Sequence, residues 1–158
     1  MIDFKYQKQR SGASELYHKI RSVRSPVLNN DQVHFTAEGF NHIIYKSDRT
    51  ERNRNVQMMR FKLLSRAAEL IGISTTYQEY DEAIKTVRKK KRKKIVNEPA
   101  TVKYWGLVAI IKTIRVKVII RQIGNGQKHF WSLIPAWKKC HYKESSFISN
   151  AFGDLEND

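Results

Sequence analysis

Apolar positions change period along the chain, and those changes predict its elements. Residues 1–30 are polar with no sustained period, which predicts an irregular N-terminal arm containing one short helix around Ala13–Arg21. Gln32–Phe35 reads as a short strand. Thr36 then stands where an N-cap belongs, with Ala37 and Glu38 in the first turn. The helix it opens runs from Ala37 to Lys46, because Ala37, Phe40, Ile43 and Ile44 share one face. Glu38, His42 and Lys46 follow one another a turn apart on a different face. A charged linker, Ser47–Asn53, leads to a longer helix over Arg54–Ile71. Met58, Phe61, Leu64, Ala68 and Ile71 form its apolar stripe, and Gly72 ends it. Ile73–Tyr80, rich in Thr and Tyr, reads as a strand.

From Val102 the helical period gives way to strand patterns. Val102–Ile111 is β-branched and apolar on both faces, as a central strand is. Thr113–Ile123 alternates: Ile114, Val116, Val118 and Ile120 face one way, and Arg115, Lys117 and Arg121 the other, with Ile119 among them. Gly124-Asn125-Gly126 is a hairpin turn, and Lys128–Ile134 returns to Pro135. A two-residue turn at Asn125-Gly126 is favoured, because Asn-Gly accepts two positive φ angles. It pairs Arg121 with Phe130 and Ile119 with Ser132. A three-residue turn shifts the register by one and sets His129 opposite Arg121, exchanging the polar groups on each face.

The expected architecture is α+β, with N-terminal helices packed on one face of a C-terminal antiparallel β-sheet. The expected limits are an arm at 1–30, one α+β domain at 31–138 with a basic loop at 85–94, and a flexible acidic tail at 139–158. A chain of 158 residues fits one domain with a real core.

Charge sharpens this picture. The formal net charge is +15. Residues 83–143 hold 17 of the 30 Lys and Arg residues and a single acid, Glu98, so the excess is local. Lys85–Lys94 is basic at eight positions of ten, reading as a solvated loop or a polyanion-binding arm. Localised basic surface points to nucleic acid, bound in a salt-sensitive way. Apolar runs are too short to span a bilayer, and the N-terminus has no apolar signal core, so no membrane partner is expected. One cysteine, Cys140, excludes an internal disulfide and makes the cytoplasm the expected compartment.

No zinc-type spacing, Walker or Rossmann glycine pattern or serine elbow is present, so neither a metal nor another cofactor is expected. The remaining set suits metal-independent RNA cleavage, which needs a base for the 2′-hydroxyl, an acid for the leaving oxygen and a cation for the phosphorane. His42, Lys46, Arg121, and His129 or Ser132 are the candidates for those roles. Arg115, Lys117, Lys128, Lys89, Lys90, Lys91, Arg92, Lys93 and Lys94 are the candidate phosphate contacts. Equally, His42 could be a solvated partner of Glu38, and His129 a core residue beside Trp131. The basic face could also bind phosphates without chemistry.

Helices followed by a basic antiparallel sheet resemble the BECR ribonucleases, the group that includes barnase, EndoU, colicin and RelE. The stretches His34–Lys46 and Arg115–Ser132 are similar to small phage and mobile-element proteins near that group. The resemblance implies a toxin-like endoribonuclease, a hydrolase in the broad sense, that uses His42, Lys46, Arg121, His129 and Ser132. It also implies RNA as the favoured partner and an acidic antitoxin or immunity protein. The sheet lacks the glutamate base of barnase-type members, which leaves a non-catalytic nucleic-acid-binding accessory protein as the alternative.

Overall fold

The computed structural model describes residues 2–111 and 114–135. The expected tail, with Cys140, lies outside the described residues. The fold is α+β: among the described residues, three α-helices and a six-stranded sheet.

Helix α1 spans Ile2–Ile20, so the expected arm is mostly helix. Its apolar stripe is sparse, and its anchors are two tyrosines rather than aliphatics. Tyr6 and Tyr17 are fully buried, and each hydroxyl donates a hydrogen bond, to Gln57 Oε1 and to the Thr36 carbonyl, both at 2.6 Å. Those bonds let a phenol sit inside the core without an unpaired oxygen. Arg21, at positive φ, turns the chain into β1 (Ser22–Ser25). A short 3₁₀ turn and the left-handed pair Asn29-Asn30 lead back into β2 (Asp31–His34).

Helix α2 covers Ala37–Ile44, two residues shorter than expected. Thr36 does precede it, but its side chain makes no capping bond. Helix α3 spans Arg54–Ile73, capped by Asn53, whose side chain accepts from the Asn55 N–H at 2.8 Å. Of the expected stripe, Phe61, Leu64 and Ile71 are buried and Met58 and Ala68 pack against the core, while the buried face widens to take in Gln57, Arg60, Ala67 and Leu70. Gly72 does not stop it.

The sheet runs β1-β2-β6-β5-β4-β3, with β3 at Glu79–Lys91, β4 at Lys94–Ile111, β5 at Ile114–Ile123 and β6 at Lys128–Pro135. All neighbours are antiparallel except β2 and β6, which pair in parallel at Val33–Lys128 and His34–His129. The basic run is therefore not a loop. Lys85–Lys91 is strand, and Arg92, at positive φ, turns it directly into β4. Pro99 sits inside β4 opposite Thr86. It is tolerated because β5 pairs with β4 only from Val102 onward, so the missing N–H is not required on that side.

Val116, Val118 and Ile120 face the helices, as the alternation predicts, and pack with Leu64, Ile71, Leu107, Phe130 and Leu133. The opposite face is not an open trough. Val102, Tyr104 and Ile119 are buried there against Val87, Ile123, Trp131 and Ile134. The sequence pattern showed the cations on that face and understated the apolar residues interleaved with them.

The turn combines both expected registers. Arg121 pairs with His129 and Ile120 with Phe130, the register of a three-residue turn. Among the turn residues only Gly124 has positive φ, so the favoured Asn-Gly geometry does not form. A bulge then shifts the ladder, and Ile119 pairs with Ser132 as the two-residue turn predicted.

Helix α2 lies so close to β6 that a Cβ at Gly39 would stand 2.3 Å from the Phe130 carbonyl oxygen. Gly39→Ala should thus destabilise the fold by about 2 kcal/mol or more. Gly12→Ala, in open space on α1, should stabilise it by about 0.5–1 kcal/mol. Urea-denaturation midpoints of the two variants read this difference directly.

Candidate nucleic-acid interface

The bulge in β6 adds one residue, Trp131, and aims its ring at the junction of α2 and β5. One face of the indole stacks on His42, with centroids 4.1 Å apart and planes 17° from parallel. The other face carries the Arg121 guanidinium, 3.6 Å from the ring centroid. Arg121 Nε donates to His129 Nε2 at 2.9 Å, and its Nη2 reaches Glu38 at 2.6 Å. Arg52, from the loop after α2, holds the other side of His42: its Nε donates to the His42 carbonyl at 3.0 Å, and its Nη2 lies 3.3 Å from His42 Nε2. Arginine has no acceptor, so both imidazoles accept at Nε2 and carry their proton on Nδ1.

This stack forms the back wall of a cleft of about 690 Å³. Lys46, Arg49, Arg88 and Arg121 line it, with Glu38 as the one acid and the half-open ring of Tyr45 at its rim. Arg88 comes from β3, so the long hairpin closes the side opposite α2.

The structure thus brings His42, Lys46 and Arg121 into one cleft, with His129 directly behind Arg121. Ser132 belongs to a different contact, accepting a hydrogen bond from the buried Arg60 at 3.1 Å. His42 is not on a solvated face; it is 4% exposed. Its expected neighbour Glu38 bonds Arg121 instead.

The expected phosphate contacts divide. Lys117 is buried against Glu79 at 2.9 Å, and Lys128 is held by Asp31 at 2.6 Å. Both are internal ties rather than open cations. Arg115 is half-buried. Lys89 and Lys91 share Glu98, whose carboxyl they hold below its usual range. Lys90, Arg92, Lys93 and Lys94 stand exposed at the hairpin tip.

Electrostatics decides what the histidines can do. Burial, then Arg52, Arg60 and Arg121, push His42 down to about 3. Burial, then Arg121, push His129 down to about 4. Burial also lowers Arg121. Burial and the neighbouring guanidiniums therefore hold both rings neutral at physiological pH.

Several participants escape sequence reasoning. Trp131 links to His42 through a bulge that no local pattern marks. Arg49 and Arg52 lie on the segment that reads as a linker, and Arg88 on the one that reads as a loop. Arg60 had a visible signal: a cation inside an apolar helical stripe marks a buried polar contact. Among the described residues no three His, Cys, Asp or Glu side chains gather into a metal site, and no helix is long and apolar enough to cross a membrane. Comparison of the chain with protein-family models, curated proteins and solved structures finds no match.

The lowered histidines give a stability signature. Above about pH 6.5, folded and unfolded chains both hold these rings neutral. Below it, the unfolded chain takes up protons that the folded one refuses, down to about 4 for His129 and about 3 for His42. Stability should therefore fall as pH drops, by about 2 kcal/mol per ring at pH 5. Urea midpoints measured from pH 7.5 to 4.5 should show this slope, and His129→Gln should make it shallower. A flat profile would mean that the rings protonate within the fold.

Proposed function

We propose that this chain binds a nucleic-acid strand, RNA favoured, in the cleft between α2 and the β3–β4 hairpin, and that it does so without cleaving it. One observation carries this reading: four cations from three separate segments converge on a single cleft, continuous in sequence with an exposed basic hairpin tip. A single strand suits the site, because Lys46, Arg49 and Arg88 offer phosphate contacts and the exposed ring of Tyr45 offers a face for a base. Trp131 cannot stack on a base, since both of its faces are occupied. The role would be that of a non-catalytic accessory protein. A reducing cytoplasmic compartment fits the single cysteine.

Cleavage by transesterification is the second reading. It is favoured by the meeting of His42, Lys46 and Arg121 in one cleft. The low basicity of His42 and His129 weighs against it. The toxin role and an acidic inhibitor belong to this second reading alone.

Binding of a labelled RNA oligonucleotide, titrated across salt concentrations, tests the first reading. Affinity should fall steeply with salt, and Arg49→Ala with Arg88→Ala should weaken it by about tenfold and reduce the salt slope by about 0.7 per lost phosphate contact. Replacing Lys90, Arg92, Lys93 and Lys94 by Ser should act the same way. Unchanged slopes in both variants would remove the interface from this cleft and hairpin. RNA cut by the intact protein in excess EDTA, with the cutting lost in His42→Ala, would put the second reading in place of the first.

A further inference from the structure

β3 is the last strand of the sheet, so one side of its backbone has no neighbouring strand among the described residues. Exposed edges of this length invite pairing, and proteins commonly blunt them with charged side chains, lysine above all. β3 carries such charges, but of opposite sign at its two ends. Its opening residues Glu79, Asp81 and Glu82 are acidic, and its closing residues Arg88, Lys89, Lys90 and Lys91 are basic. Between them stands Ile84, with 78% of its surface exposed.

We propose that β3 pairs antiparallel with the β3 of a second copy of this chain, about a two-fold axis at Lys85. In that register Asp81 of one copy faces Lys89 of the other, Glu82 faces Arg88, Ala83 faces Val87 and Ile84 faces Thr86. The symmetry makes each pair occur twice. Opposite charges directly across an antiparallel pair stabilise it, and like charges oppose it. Parallel in-register pairing would set Asp81 on Asp81 and Lys89 on Lys89, so the charge order selects the antiparallel arrangement.

The charges already in use leave this pattern intact. Glu79 is committed to Lys117 inside the fold. Glu98 is one carboxylate between Lys89 and Lys91, so it cannot neutralise both. The two Lys85 side chains would meet at the axis, but each ammonium is drawn over its own Tyr104 ring, 5.2 Å from the centroid. Arg92, Lys93 and Lys94 lie beyond the paired stretch. The dimer does not rest on the nucleic-acid reading; the two share Arg88, which also lines the cleft, while the tip residues stay outside the paired stretch.

Sedimentation equilibrium of the nucleic-acid-free full chain tests the proposal. The wild type should dimerise, and more weakly as salt rises. Asp81→Lys with Glu82→Lys should raise the dissociation constant by about tenfold or more, as should Arg88→Glu with Lys89→Glu. An equimolar mixture of these two variants should recover association, because each then presents the charges that the other lacks. A wild type that stays monomeric, a dimer insensitive to salt and to both reversals, or a mixture that fails to associate would each overturn the proposal.

Discussion

The extra residue at Trp131 is the constraint on which the candidate site depends. Without it, β5 and β6 would keep one register throughout, and either Arg121 would meet His129 or Ile119 would meet Ser132, but not both. With it, both pairs form in one ladder, and Phe130 still enters the core beside Ile120. The bulge also turns the indole out of the regular pleat, where it can fill the space between His42 and Arg121. Bulges bend a strand and raise its local twist. Here the bend lies where α2 presses on β6 at Gly39, so helix placement and strand irregularity support each other.

That packing fixes the electrostatics. Arg52, Arg60, Arg121 and His42 come together in a largely dry region. A protonated imidazole there would add a further positive charge without solvent to screen it, so the ring stays neutral and serves as an acceptor and a stacking surface. The same residue types that suggested proton transfer in the sequence become, once buried, parts of a rigid cationic wall. Burial decides between chemistry and scaffolding, and sequence spacing alone carries no information about burial at His42.

Much of the fold was legible because its signals are periodic and local. The stripe of α3, the alternation of β5 and the glycine turn after Ile123 each depend on a few neighbouring residues. What was not legible depends on distant partners. Helix α1 has few aliphatic anchors, and its tyrosines are stable inside only because Gln57 and the Thr36 carbonyl accept their hydroxyls from far along the chain. The basic run looked like a loop because self-repulsion disfavours order. Its Lys85–Lys91 part is held as strand by backbone pairing with Lys94–Ala100, and Glu98 bonds Lys89 and Lys91. At the site, His42 comes from helix α2 and Arg121 from the alternation of β5, both visible in the sequence pattern, whereas Lys46, beyond the end of the helix, and Arg49 and Arg88 join them through a closure that neither pattern encodes.

The β3–β4 hairpin concentrates the basic residues. Beyond Val102 toward its tip it is only two strands wide, and it carries cations on both faces with a single acid between them. Two-stranded ribbons are marginal by themselves, and like charges across a ladder weaken them further. Anything that supplies negative charge to this segment must therefore stabilise the ordered hairpin as it binds, because binding to the folded form alone adds to its stability. Phosphates would do this at the tip, and the acidic end of a second β3 would do it along the edge. The charge that disfavours order in the free chain is the same charge that couples hairpin order to an anionic partner.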